Sequence, residues 1–439
     1  MSENKEGNFL HPEYETLKRS EIEALQLERL QATVRHCMNN EFYRKKFAEA
    51  GITPDDIKTL DDVRKLPFTT KQDLRETYPF GLACVDLREC VRLHSSSGTT
   101  GNPTVILHTK KDLDEWANQV ARNLWMVGLR PDDVFQNSSG YGMFTGGLGF
   151  QYGAEKLGML TVPAAAGNSL RQIKFIKDFG TTAIHAVPSY VTRLYEVMCE
   201  EGVDPRRDTK LKVLAIGAEP HSEEQRKRIE EMMGVKAYNS FGMSEMCGPG
   251  VGFECPEQNG MHFWEDYYIV EIVNPETLEP VADGEIGELV LTTLCREAMP
   301  LLRYRTRDLT RVLGRTCPCG RNHVRLDRMR GRSDDMMVLR GVNIFPIQIE
   351  KILMQFEELG SNYLITLTTD DQNDNMTVEV ELAQPTDDYK QLQNLEREIR
   401  RRLKDEILLT PIVKLVPRGT LPVNEGKAVR VVDKRKVYQ

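Results

Sequence analysis

"LKVLAIGAEPHSEEQRKRIEEMMGVKAYNSFGMSE", residues 211–245, carries the rhythm that decides the fold. A short apolar run ends in Gly217-Ala218-Glu219-Pro220. A helical stretch from Ser222 to Gly234 follows, and then a second strand and loop, 236–245. Strand, loop, helix and strand in that order imply parallel strands with helices on their faces. Such sheets bind ligands beyond the carboxyl ends of their strands. The loops to inspect are therefore 217–220 and 239–245.

The same rhythm extends outward. Ser20-Glu21-Ile22-Glu23 reads as a capping box, followed by Leu27, Leu30, Val34, Cys37 and Met38 at helical spacing. Residues 109–129 place Leu113, Trp116, Ala117, Val120, Leu124 and Val127 on one side of a helix. Residues 141–167 read as buried loops and a helix around a site. Residues 266–293 alternate like antiparallel strands. Beyond "GRSDDMM" (331–337) the pattern becomes helix, two strands, helix and strand, a compact α+β unit of about 100 residues. The expected fold class is a large α/β N-terminal domain, 1–333, and an α+β C-terminal domain, 334–439. The first has largely parallel sheets with flanking helices and a small β-rich part.

Composition excludes several functions. The 439 residues are 40% hydrophobic and 28% charged, ordinary globular usage with room for two domains. A net charge of −8 argues against nucleic acid as a partner, since phosphate-backbone binding needs excess clustered Lys and Arg. The opening "MSENKEGNFL" has no apolar signal core, and no apolar run is long enough to span a membrane. The nine cysteines are mostly scattered singly, which suits reduced thiols or metal ligands. The expectation is a cytoplasmic protein without membrane or nucleic-acid partners, with a homodimer as an allowed assembly.

Several short stretches carry chemistry. "HSSSGTTGNPTVILHT" (94–109) puts Ser95, Ser96, Ser97, Gly98, Thr99, Thr100 and Gly101 between the strands "CVRLH" and "TVILHT". It is not a P-loop, because no lysine follows and the next element is a strand. Free backbone N–H groups and hydroxyls can still wrap a phosphate, and a plain hairpin loop is the competing reading. In Asn239-Ser240-Phe241-Gly242-Met243-Ser244-Glu245, Phe241 can stack on a base, Ser244 can donate to a phosphate, and Glu245 can hold Mg²⁺. The competing reading is a strand end with a capping serine. "RYRTRDL" (303–309) places Asp308 after three arginines, either to accept from ribose hydroxyls or to neutralise them. Arg332 and Asp334 lie at the domain junction, and Lys427 lies on a Gly-hinged loop near the C-terminus.

"FECPEQNGMH" (253–262) and "TCPCGRNH" (316–323) supply Cys255, His262, Cys317 and Cys319, a Cys₃His set suited to structural zinc. Cys247 and His323 are reserve ligands, and two reduced surface loops are the alternative.

The order of these motifs resembles the adenylate-forming superfamily, and more narrowly the phenylacetate-CoA ligase family. The narrower likeness rests on "LPFTTKQDLRETYPFG" (66–81), "SSSGTTGNPT" (95–104), "YGMFTGGLG" (141–149), "LLRYRTRDLTR" (301–311) and "GRSDDMMVLRGVNIFPIQIE" (331–350), and covers essentially the whole chain. The resemblance implies an aryl acid as substrate, with ATP, Mg²⁺ and coenzyme A. It implies that 95–101 hold the β- and γ-phosphates and that Gly217, Ala218, Glu219 and Phe241 frame adenine. It implies Ser244 on phosphate, Glu245 on Mg²⁺, Asp308 and Arg332 at the ribose, and Lys71 near the phosphates. It further implies Tyr141, Phe144 and Gly149 (with Gly217 and Ala218) around the acid, and Asp334 as the hinge of a mobile C-terminal domain. Lys427 would meet the α-phosphate, with Lys434 or Lys436 as alternatives. Two other functions compete. One is an adenylating enzyme with a non-CoA acceptor, resembling coenzyme F390 synthetase. The other is a zinc-containing binding protein without catalysis.

Overall fold

Short apolar strands alternate with amphipathic helices in the computed structural model, which describes residues 8–96, 103–143, 145–334, 336–340, 342–370, 373–386, 388–422 and 429–435. The chain divides into two compact units, Met1–Ala166 with Thr181–His185 and Tyr238–Met329, and Gly167–Gly180 with Ala186–Ala237 and Arg330–Gln439.

In the first unit, Val134–Asn137 pairs in parallel with Leu160–Val162 and with Ala183–Ala186. The glycine-rich helix Thr145–Leu157 lies against Lys110–Met126. Its glycines permit that approach: a Cβ on Gly153 would stand 2.3 Å from Val120 Cγ1, and one on Gly149 would stand 2.4 Å from Trp116 Cζ2. Further along the chain the pairing turns antiparallel, with Lys236–Met243 against Gly248–Glu254, then Met261–Phe263 and Arg325–Leu326. The connection between the first two of these strands is too short for a helical crossover, so it reverses the chain. The sheet is therefore mixed where the alternating sequence implies mostly parallel strands. A separate three-stranded antiparallel sheet joins Tyr268–Val273, Gly287–Thr293 and Tyr304–Thr310.

The N-terminal helix runs Arg19–Cys37, and its box forms two residues earlier than the sequence suggests. Lys18 takes the extended cap conformation, and its N–H donates to Glu21 Oε2 at 2.7 Å. A buried charge network anchors this region. Arg122, fully enclosed, donates to Asp266 Oδ2 at 2.8 Å and lies 3.8 Å over the Trp264 ring. Glu15 accepts from Arg321 Nε at 2.8 Å.

In the second unit, helices Pro188–Glu200 and Glu223–Met233 accompany the fully buried strand Val213–Gly217. The α+β part has a four-stranded sheet in which Asn373–Leu382 runs antiparallel to Leu359–Asp370 and parallel to Ile412–Val416. Val431–Asp433, too short to stand out in the sequence, adds in parallel to the other side of Leu359–Asp370. Helices Pro346–Leu353 and Tyr389–Ile407 cover this sheet through Ile349, Leu353, Ile399 and Leu403. The α/β N-terminal part and the smaller α+β C-terminal part match the expected fold class. Among the described residues, no helix is long and apolar enough to cross a membrane.

Candidate active site and a thiol–imidazole cluster

The Ser/Thr/Gly stretch lies in sequence between two strands that pair antiparallel as a hairpin, Cys90–Ser95 and Val105–Thr109. Ser97 to Gly101 lie outside the described residues. The base of the hairpin is well tied: Ser96 N–H donates to Thr104 O at 3.0 Å, and Thr104 N–H donates to Ser96 Oγ at 3.0 Å. Met143 O accepts from Ser95 N–H at 3.2 Å and from His94 Nδ1 at 3.0 Å. That carbonyl fastens the hairpin to the "YGM" loop. In the same loop Tyr141 OH accepts from Asn137 Nδ2 at 3.1 Å. Burial pushes the Tyr141 phenol up, and the Asn137 contact pulls the other way. Phe144 lies outside the described residues. Gly149 is buried against Trp116 and Pro249, whose carbonyl accepts from Trp116 Nε1 at 2.7 Å.

Strand Lys236–Met243 delivers Asn239, Ser240, Phe241, Gly242 and Met243, and a single 3₁₀ turn holds Ser244 and Glu245. Asn239 N–H donates to Glu254 Oε2 at 2.8 Å. The Phe241 ring lies 5.6 Å from that of Phe263, tilted. Gly242 is needed here, because a Cβ would stand 2.1 Å from Gly248 O. Ser244 Oγ lies 3.3 Å from Thr145 Oγ1.

Glu245 is 5% exposed, and no donor among the described residues reaches its carboxylate. Arg296 Nη1 instead grips the Glu245 backbone oxygen at 2.6 Å, which fixes the turn without touching the acid. A carboxylate with no protein donor suits a hard cation as its partner. Thr145 and Arg296 are parts of the site that sequence reasoning missed: Thr145 stands inside "YGMFTGGLG" without being singled out, and Arg296 lies in no recognisable spacing.

Just before strand Tyr304–Thr310, Arg303 Nη2 pairs with Glu271 at 2.9 Å, and on the strand Arg305 Nη2 pairs with Glu288 at 2.8 Å. Those two charges are met inside the three-stranded sheet. Asp308, partly exposed, has its N–H on Thr306 Oγ1 at 3.0 Å. Lys71 stands exposed at the first position of helix Lys71–Glu76, which Thr70 and Asp73 cap reciprocally.

In the second unit, Gly217 ends the strand and Ala218 takes φ +64°. A left-handed alanine is uncommon, and such strain clusters at ligand-binding loops. Glu219, followed by Pro220, accepts from Ser189 Oγ at 2.8 Å and from Ser189 N–H at 3.1 Å, across the start of helix Pro188–Glu200. Arg332 makes a two-pronged contact with Asp334, Nε to Oδ1 and Nη2 to Oδ2, each at 2.8 Å. Lys427 and Lys436 lie outside the described residues; Lys434 is exposed.

The four predicted metal ligands converge. One donor atom each from Cys255, His262, Cys317 and Cys319 lie within 4.8 Å of one another. Register explains the meeting: His262 pairs with Arg325, so the "CPCG" turn before that strand folds back over Cys255 and His262. Gly320, at φ +92°, closes the turn with its N–H on Cys317 O at 2.9 Å. Cys255 Sγ lies 3.7 Å from Cys317 Sγ, and Cys319 Sγ lies 3.4 Å from His262 Nε2. Bond lengths to tetrahedral zinc of roughly 2.3 Å for sulfur and 2.0 Å for nitrogen give edges of about 3.8 and 3.5 Å. His262 Nδ1 donates to His323 O at 3.2 Å, which turns the Nε2 lone pair toward the thiols.

Hydrogen bonds from Cys255 and Cys317 drive the Cys319 thiol down, while contact with Cys317 and Cys319 drives Cys255 up. Three sulfurs this close need a shared cation or shared protons. The donor set fits a tetrahedral cation. The two reserve ligands do not join it. His323 Nδ1 accepts from Glu265 N–H at 3.0 Å and Nε2 donates to Tyr14 O at 3.1 Å; burial holds its pKa at about 3. Cys247 lies 4.0 Å from His108 Nδ1, its pKa pushed up to about 11 by burial.

Residues 29–295 match the AMP-binding enzyme family, and residues 341–435 match the AMP-binding enzyme C-terminal domain. The chain belongs to the AMP-binding enzyme family. It is 44% identical to the phenylacetate-coenzyme A ligase of Escherichia coli (strain K12), over 96% of this chain and 97% of that one. It is likewise 44% identical to the enzyme of that name from Thermus thermophilus, over 97% and 99%. Among solved structures, 2-hydroxyisobutyryl-CoA ligase in the postadenylation state with R3-HIB-AMP superposes with a TM-score of 0.90. That pair is 31% identical, over 96% of this chain and 91% of that chain. The same ligase with 2-HIB-AMP and CoA in the thioesterification state gives 0.73, at 31% identity, over 99% and 94%.

Proposed function

We propose that this chain activates phenylacetate with ATP and transfers the acyl group to coenzyme A. It is an AMP-forming acid–CoA ligase. The observation that carries the reading is 44% identity, over nearly the full length, to phenylacetate-CoA ligases. The carboxylate oxygen attacks the α-phosphorus of ATP, and the bond to pyrophosphate breaks. The CoA thiol then loses its proton and displaces AMP from the acyl carbon. The first step is needed because a carboxylate oxygen is a poor leaving group and AMP a good one. Its catalysis is positioning and charge stabilisation.

In the first unit we assign residues 95–101 to the β- and γ-phosphates, Phe241 to the adenine face and Ser244 to phosphate. Asp308 takes the ribose hydroxyls, Lys71 approaches the phosphates, and Tyr141, Phe144 and Gly149 surround the acid. Glu245 is the residue that would hold Mg²⁺, whose charge offsets that of the triphosphate. In the second unit, Gly217, Ala218 and Glu219 line the adenine and Arg332 supports the ribose. Lys427 meets the α-phosphate. Nine cysteines and nucleotide substrates suit a reducing cytoplasm.

A panel of carboxylic acids in a pyrophosphate-release assay, followed by thioester detection, tests the reading. Phenylacetate should lead the panel, and release without thioester would replace CoA by another acceptor.

Asp334 is assigned as the hinge between a nucleotide-binding part, 1–333, and a mobile part, 334–439. Asp334→Pro fixes φ there and removes an N–H. Acyl-AMP should still form, while thioester yield falls about tenfold or more because domain motion is blocked. Equal loss of both steps would remove the hinge role.

The Cys₃His cluster is assigned to structural zinc. Arg321, two residues after Cys319, pairs with the buried Glu15, which supports a folding role for the cluster. Cys317→Ser with Cys319→Ser should remove one zinc per chain and lower the melting temperature by several degrees, with pyrophosphate release little changed below that temperature. Elemental analysis of protein purified without chelators checks it, and absence of metal ends the assignment.

A further inference from the structure

Ser222 caps helix Glu223–Met233, its Oγ accepting from Gln225 N–H at 3.1 Å. In the reciprocal arrangement the side chain three residues on reaches back to the cap's own N–H. This chain completes that arrangement elsewhere: Thr70 N–H donates to Asp73 at 2.7 Å, and Thr109 N–H to Asp112 at 2.9 Å. At Ser222 the local partner, Gln225, does not close it. Glu350, from helix Pro346–Leu353, takes the Ser222 N–H on Oε1 at 2.8 Å. Tyr363 OH donates to Glu350 Oε2 at 2.9 Å. Glu350 and Gln225 are each 2% exposed, and Gln225 Oε1 is buried with no donor among the described residues. A buried amide oxygen without a partner is costly. It calls for an account.

Glu350 lies beyond Asp334, in the part assigned as mobile, and Ser222 follows directly on the loop that carries Ala218 and Glu219. Burial raises the Glu350 carboxyl, opposed by the Ser222 hydrogen bond. A buried acid is an expensive cap where a glutamine three residues away would serve, unless the acid has to leave.

We propose that Glu350 and Gln225 are alternative caps for one amide: Glu350 holds Ser222 N–H while acyl-AMP forms, and Gln225 takes it when the segment bearing Glu350 turns away. Both are positioning residues for the two half-reactions. Each keeps the helix start, and the nucleotide loop before it, in place in one state. The proposal rests on the hinge reading, which Asp334→Pro tests separately.

The test is Ser222 amide exchange in ¹⁵N-serine-labelled full-length enzyme, with a non-hydrolysable acyl-adenylate analogue alone and then with CoA added. Wild type should protect the amide in both complexes, and so should Glu350→Gln, which keeps an acceptor. Glu350→Leu should remain protected, because Gln225 can swing in. Gln225→Leu should be protected with the analogue and exposed once CoA is added. The double variant should be exposed in both. In kinetics, Gln225→Leu should slow thioester formation from supplied acyl adenylate by up to about tenfold, the scale of a lost helix cap. Its pyrophosphate release should stay within about twofold of wild type, because Glu350 still caps in that state. Two results would overturn the exchange. One is protection of Ser222 in the CoA complex of Gln225→Leu. The other is equal loss of both half-reactions in that variant. A wild-type enzyme that forms no acyl adenylate from any acid would instead sink the ligase reading.

Discussion

Glu245→Ala should lower acid-dependent pyrophosphate release by about 10²- to 10³-fold, the scale of removing a group that stabilises charge in the transition state. The side chain is mostly buried and no described residue donates to it, which leaves the carboxylate available as a ligand for a hard cation. Removing it leaves no orphaned hydrogen-bond partner. The turn itself is held through the backbone, by Arg296 on Glu245 O and by Cys247 N–H on Ser244 O at 3.1 Å. The variant should therefore fold with a melting temperature close to wild type. Glu245→Gln should be nearly as inactive, since an amide oxygen carries no net charge for Mg²⁺. Wild-type release from a folded Glu245→Ala enzyme would remove the magnesium role.

The second large effect is expected at Lys427. A cation accelerates a step only where it meets charge that grows in the transition state. During carboxylate attack the α-phosphate gathers negative charge, so Lys427→Ala should cut pyrophosphate release by about 10²-fold or more. Thiol attack on supplied acyl adenylate does not build charge at that phosphate, and thioester formation should stay within about tenfold of wild type.

The segment just after Lys427 is well anchored. Arg430 donates to Asn362 Oδ1 at 3.0 Å and lies 4.5 Å over the Tyr363 ring, and Val431–Asp433 joins the sheet beside Leu359–Asp370. Lys434 is the nearest rival, and its N–H is committed to Leu367 O at 2.8 Å, which fixes its backbone in that sheet edge. If Lys427→Ala adenylates normally while Lys434→Ala or Lys436→Ala does not, the role moves to that lysine.

Much of this was legible from local chemistry. Amphipathic spacing placed the helix Lys110–Met126, and short apolar runs placed the strands Val213–Gly217 and Leu359–Asp370, because those patterns depend only on which side of an element meets water. Motif order singled out Glu245, Asp308 and the Ser/Thr/Gly stretch as candidates, and cysteine spacing singled out Cys317 and Cys319. What local pattern could not reach was partnership between distant segments. His262 meets Cys319 because of a strand register between His262 and Arg325. Glu245 is positioned by Arg296 through a backbone oxygen, a contact that leaves no trace in residue spacing. The reserve ligands failed for the same reason: His323 has the right chemistry, but tertiary neighbours occupy both of its nitrogens.

At Ser222 the contrast is most direct. Ser222 and Gln225 have the spacing of a self-contained cap, and the fold gives the amide to Glu350 instead. Sequence determines which groups are able to bond at short range. Tertiary structure decides which of several able groups takes the bond, because burial makes each buried donor and acceptor find a partner wherever the chain brings one.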